Sequence, residues 1–164
     1  MEIIKHKLNE VMHIPATFRE LISDKDICFL DIETTGFSRQ KNHIILIGIL
    51  YSNGSETEIL QFFANSKENE KSLLSEFVKH ITNFRTIVTF NGDAFDIPFI
   101  NSRLAYHSIN FQIDKTRCID ILKVIRTKKN ILGLEKYNLK SIEKFLGIDR
   151  EDTISGKESI EIYY

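Results

Sequence analysis

No apolar run in the sequence is long enough to span a bilayer, and the stretch from Met1 to Glu10 lacks the apolar core of a signal peptide. Neither membrane insertion nor secretion is expected. Cysteine is scarce as well. Cys28 and Cys118 lie far apart and form no metal-ligand spacing, so the expectation is reduced thiols in a cytoplasmic protein. Internal repeats, low-complexity segments and an interdomain linker are also missing. Net charge is nearly absent: 22 basic against 23 acidic residues leave −1, which excludes a globally basic nucleic-acid binder. What remains is 164 residues, 42% hydrophobic and 27% charged, which suits one globular domain with a single core.

The charge is unevenly spread. Between Lys115 and Lys144 nine basic residues, Lys128 and Lys129 among them, face three acidic ones, a local excess of six. That is either a pair of solvated helix faces or a surface for a phosphate backbone.

Hydrophobic periodicity predicts strands over about 27–33, 43–51 and 57–63, an antiparallel set with a turn at Ser52 to Ser55. Gly48 reads as a bulge or a close approach. Leu73, Leu74, Phe77, Val78 and Ile81 recur at helical spacing. A short buried strand follows at 87–90, and a helix starts near Phe95 to Ile97 with Pro98 in its first turn. Further helices are expected over 119–128 and 139–146, the latter capped by Asn138 and closed by Gly147. A last helix should open at the capping-box spacing Ser155 to Glu158. Residues 1–26 carry little signal and read as an extension packed on the domain, with Phe18, Leu21 and Ile22 forming a helical turn. Residues 27–164 read as the domain itself.

The chemistry concentrates at Asp31 and Glu33. Side chains at i and i+2 of a strand share a face, so both carboxylates project together from the end of the first predicted strand. Two such acids are either a solvated strand end or a seat for a hard cation that offsets their repulsion. Asp96 begins the helix after the short strand. It could meet the pair where strands of an α/β sheet end, or serve only as a helix N-cap.

The stretch Asp31-Ile32-Glu33-Thr34-Thr35-Gly36 resembles the first motif of the DEDD, or DnaQ-like, 3′–5′ exonucleases. Asn91-Gly92-Asp93-Ala94-Phe95-Asp96 resembles their second motif in the form found in family B polymerase proofreading domains. Residues 138–147, with Ser155 and Gly156, are similar to the YprB-type branch. The resemblance covers about residues 27–164. It implies an α/β ribonuclease H-like mixed sheet whose first three strands are antiparallel, flanked by helices. It further implies that Asp31, Glu33 and Asp96 are catalytic metal ligands for two Mg2+ or Mn2+ ions. Thr34, Thr35, Phe37, Asn91 and Phe95 would then contact the 3′ end of DNA or RNA, while Lys128 and Lys129 of the basic stretch are the candidates for its phosphate backbone. For Phe37 and Phe95, core packing is the other reading.

One element of the family pattern is missing. The third motif places an Asp five residues after a His or four after a Tyr, and no His or Tyr in the chain has one. Asp120 lies outside that spacing and reads as structural, the other reading being a contact just behind the metal ligands. The fourth acid is expected either beyond Tyr164 in a longer protein or not at all. In the latter case the chain would be a non-catalytic nucleic-acid-binding module of the same fold.

Overall fold

A computed structural model describes residues 1–9, 12, 26–52 and 55–149. Its six strands are β1 (Glu2–Leu8), β2 (Ile27–Thr34), β3 (Ile44–Ser52), β4 (Thr57–Phe63), β5 (Thr86–Thr89) and β6 (Cys118–Asp120). The helices are α1 (Glu70–Ile81), α2 (Asp96–Tyr106), α3 (Ile121–Thr127), α4 (Lys129–Leu132) and α5 (Leu139–Phe145). The sheet order is β1-β4-β3-β2-β5-β6. The β2–β3–β4 meander and the β1–β4 pair are antiparallel, whereas β2–β5 and β5–β6 are parallel. This is the mixed α/β sheet expected of a ribonuclease H-like domain.

Alternation in β2 decides which face it buries. Cys28, Leu30 and Ile32 are buried, while Phe29, Asp31 and Glu33 stand on the other face. The buried face joins Ile47 and Ile49 of β3, Phe62 of β4, Leu73, Leu74 and Phe77 of α1, and Ile97, Phe99 and Ile100 of α2 in the main core. The burial of each large side chain contributes roughly 1.5–3 kcal/mol. A smaller cluster pairs Ile27 and Val88 with Phe29, Ile119 and Ile121.

Three expectations change. Residues 2–8, which carried no signal, form the edge strand β1, paired with β4 from Glu2↔Phe63 to Leu8↔Thr57. Every residue of β1 is exposed, so no hydrophobic alternation marks it. The helix expected over 119–128 begins later, because Cys118–Asp120 pairs with β5 as β6. A three-residue strand is too short for a periodic signal, and only its parallel neighbour defines it. A bulge, one of the two readings of Gly48, lies instead between Glu33 and Thr34, where the β2–β3 register shifts, and Gly48 itself pairs in regular register with Asp31. The helical turn around Phe18, the centre of the 52–55 turn and the helix at 155–158 lie outside the described residues. Asn138 caps α5 as expected, its side chain accepting from the Ser141 amide at 2.8 Å.

One buried charge ties the layers together. Glu70, at the start of α1, is fully buried. Its Oε1 accepts from Arg103 Nε at 2.8 Å and from the Ile44 amide at 2.8 Å. Its Oε2 accepts from Arg103 Nη2 at 2.5 Å and lies 2.7 Å from His107 Nε2. Arg103 also donates to the Arg39 carbonyl at 3.3 Å and stacks over Tyr106. Burial opposes the charge, but the hydrogen bonds from Arg103, His107 and Ile44 outweigh it and hold the Glu70 carboxyl below its ordinary range. Glu70→Gln leaves the Arg103 guanidinium buried without a counter-charge. The expected loss in urea unfolding is about 3–5 kcal/mol. A loss below about 1 kcal/mol, the value of an exposed pair, would show that the pair is not structural.

Candidate functional site

Asp31 and Glu33 lie on the same face of β2, and Gly48 of β3 stands opposite Asp31. The last β2–β5 pair is Phe29↔Val88, so the end of β2 runs on past β5. The Ile32 amide in that overhang favours the charged form of both Asp31 and Asp96. Asp96 is not the N-cap of α2. Phe95 holds that position without a side-chain cap, and Asp96 is the first helical residue, only 4% exposed.

The electrostatics couple the acids in pairs. Burial first, and then the charges of Asp31 and Asp120, together push the Asp96 carboxyl up to about 7 against the pull of nearby backbone amides. Burial and the Asp31 charge raise Glu33. Asp31, open to solvent, is raised by the packing around it, against the Ile32 amide. Among the described residues, no lysine or arginine bridges to Asp31, Glu33 or Asp96. Nor do three acidic, histidine or cysteine side chains gather into one metal-ligating cluster among those residues. The three acids therefore stand as two coupled pairs sharing Asp31, rather than as a closed cage. Their donor set is all carboxylate oxygen, with like charges raising one another, and that chemistry fits a hard divalent cation.

Two turns frame the carboxylates. The first follows β2. Gly36 has φ +153°, and a Cβ there would meet the Asn42 side chain at 2.9 Å. Asn42 donates to the Thr35 carbonyl at 3.1 Å and accepts from the Ser38 amide at 3.1 Å, closing the loop. The Thr34 hydroxyl donates to the Gly36 carbonyl at 2.9 Å, and the Thr35 hydroxyl accepts from the His43 amide at 3.1 Å. Both hydroxyls are thus committed to the turn.

Phe37 at the tip of this turn is 91% exposed, which rules out core packing for it. Its ring meets Phe95 edge-on at 6.1 Å, and Phe95 in turn leans on Phe99 of the core at 5.5 Å.

The second turn runs from Asn91 to Phe95. Asn91 adopts φ 65°, and a Cβ on Gly92 would overlap the Thr89 side chain, so only glycine fits. Lys128 and Lys129 are exposed at the α3–α4 junction. Two other cations of the basic stretch are engaged: Lys123 pairs with Asp93, and Arg117 donates to the Phe84 carbonyl. Sequence reasoning missed Glu70 and Arg103, which lie thirty-three residues apart with no local signal.

A family model of the RNase_H superfamily matches residues 28–164. Over 51 residues the chain is 43% identical to the epsilon DNA polymerase catalytic chain of Schizosaccharomyces pombe, covering 30% of this chain and 2% of that protein. The fold is similar to the family B DNA polymerase of Pyrobaculum calidifontis, with TM-score 0.66 and 16% identity over 84% of this chain and 20% of the polymerase. It is also similar to E. coli exonuclease I in complex with a dT13 oligonucleotide, with TM-score 0.60 and 13% identity over 84% of this chain and 38% of that one. The chain thus spans a small fraction of the curated relatives and well under half of these solved structures. The resemblance to DEDD exonucleases of ribonuclease H-like fold is borne out at the level of family and fold. No helix among the described residues is long and apolar enough to cross a membrane.

Ionised Asp96 is disfavoured in the fold, which fixes the sign of a pH effect. At pH values below its ordinary value of 3.8 both folded and unfolded chains are protonated and no penalty exists. As pH rises the unfolded chain releases its proton first, and the penalty grows until the folded carboxyl ionises near 7. Asp96→Asn should therefore raise unfolding free energy at pH 8, by on the order of 2–4 kcal/mol, and change it little at pH 4. Urea unfolding with a chelator present measures this, and equal effects at both pH values would contradict it.

Proposed function

Because the chain belongs to the RNase_H superfamily, we propose that it is a divalent-metal-dependent 3′–5′ exonuclease acting on DNA or RNA. What supports this reading is that Asp31 and Glu33 share one strand face and that the Asp31 charge is felt by both Glu33 and buried Asp96. Asp31, Glu33 and Asp96 would hold Mg2+ or Mn2+, two ions in the active form. Such ions supply Lewis-acid stabilisation of phosphoryl charge, a lowered pKa for the attacking water and support for the leaving 3′ oxygen.

The chain's own residues provide the rest. Asp31, coupled to both other acids, takes the central position. Phe37, resting edge-on against Phe95, offers an exposed ring on which a terminal base stacks without regard to sequence. Thr34 and Thr35 build the turn beside the carboxylates, where the terminal nucleotide would sit. Asn91, held at φ 65° in the turn that leads to Asp96, would contact the same nucleotide. The exposed Lys128 and Lys129 meet the phosphate backbone away from the cleavage point.

The test is degradation of oligonucleotides labelled at the 3′ or the 5′ end, in Mn2+ and in Mg2+. Loss of the 3′ label first is expected, and Asp31→Asn should slow it by about 10²–10⁴-fold. Binding without cleavage in either ion would replace the exonuclease reading with that of a nucleic-acid-binding module. Internal cuts would point to an endonuclease.

A separate expectation concerns the basic surface. Lys128→Glu with Lys129→Glu should weaken binding to all sequences alike and flatten the dependence of affinity on salt. Unchanged affinity in fluorescence anisotropy at two salt concentrations would remove this surface from the interface.

A further inference from the structure

Asp120 ends β6, directly across the sheet from Thr89, the last residue of β5. It is only 5% exposed. Its Oδ1 caps α3 by accepting from the Leu122 amide at 3.0 Å, an ordinary N-cap contact. The same carboxylate also reaches back across the sheet. Oδ1 accepts from the Asn91 amide at 2.8 Å and Oδ2 from the Asp93 amide at 3.3 Å. An N-cap needs neither of these long-range bonds.

Both amides belong to the turn that launches α2. Within it the Phe95 amide donates to the Asn91 carbonyl at 3.2 Å and the Ile97 amide to the Gly92 carbonyl at 2.9 Å. Asn91 is left-handed, a conformation that a non-glycine residue keeps only when its surroundings enforce it. Asp96 follows as the first residue of α2. The Asn91–Asp93 turn that Asp120 holds is thus bonded to Phe95 and Ile97, the two chain neighbours of Asp96.

We propose that Asp120 is a positioning residue: its carboxylate clamps the Asn91–Asp93 turn and thereby sets where Asp96 stands relative to Asp31. With both oxygens engaged by backbone amides, Asp120 acts through the turn and not as the missing fourth ligand. The role rests on the proposed metal-dependent reading, because the placement of Asp96 matters chemically only if the carboxylates hold an ion.

Two variants separate the clamp from the cap. Asp120→Ser keeps an acceptor for the Leu122 amide, since serine is a favoured N-cap, but is too short to hold Asn91 and Asp93. Asp120→Asn keeps Oδ1 and turns an amino group toward the Asp93 amide, donor against donor. Amide exchange followed by NMR on the full chain should accelerate at least about tenfold at Asn91, Asp93 and Ile97 in Asp120→Ser, with β3 amides unchanged. Mn2+ affinity measured by calorimetry should fall by about 10–100-fold, the usual cost of removing a group that orients a metal ligand. If Asp120→Ser fails to fold, Asp120→Asn carries the same comparison, with acceleration expected at Asp93. Unchanged exchange in the turn, or uniform acceleration through β3, overturns the positioning role. If the unaltered chain takes up no Mn2+, the exonuclease reading fails, and the exchange comparison still decides the clamp.

Discussion

A carboxylate taken wholly out of water must be matched or it unfolds its surroundings. Glu70 is matched from four directions: two nitrogens of Arg103, the ring of His107 and the amide of Ile44. Those partners come from the middle and end of α2 and from the start of β3. Through Arg103 the same charge reaches the Arg39 carbonyl in the turn after β2. None of these parts can shift alone without stranding a buried charge. The turn that carries Phe37 and the helix that carries Asp96 are thereby held in one frame, although forty-eight residues separate Asp96 from Gly48, the residue facing Asp31.

The molecule treats two buried carboxyls in opposite ways. Glu70 is held below its ordinary range because the Arg103 guanidinium, the His107 ring and the Ile44 amide hydrogen-bond to it. Asp96 is pushed up to about 7 because burial and other carboxylates surround it. The first arrangement stabilises the fold. The second does the reverse at neutral pH, and a fold retains such a cost where something else supplies the missing positive charge. That contrast, more than the number of acids, is what the proposed role of Asp96 rests on.

Backbone geometry does the fine placement. Gly36 and Gly92 each occupy a position that a side chain would obstruct, against Asn42 and Thr89 respectively. Asn91 sits at φ 65° with its amide fixed by Asp120. The aromatic pair bridges the two turns, since Phe37 belongs to one and Phe95 to the other. Phe37 is 91% exposed yet braced edge-on by a core-anchored neighbour, and the proposed stacking role uses that geometry.

The sequence by itself determined the β2–β3–β4 meander, α1, β5, α2 and the capped α5, because each carries a periodic pattern or a turn residue with a local physical cause. It also determined that Asp31 and Glu33 share a face, since that follows from the pleat alone. Tertiary structure decided what depends on distant partners. Exposed β1 exists only because β4 offers its edge, and β6 only because β5 lies beside it. Asp96 as a buried member of the acid site instead of a helix cap, Asp120 as a clamp, and Glu70 with Arg103 as the central ion pair were likewise set by packing. Each joins residues tens of positions apart, and no local pattern encodes a charge's surroundings once the chain has folded over it.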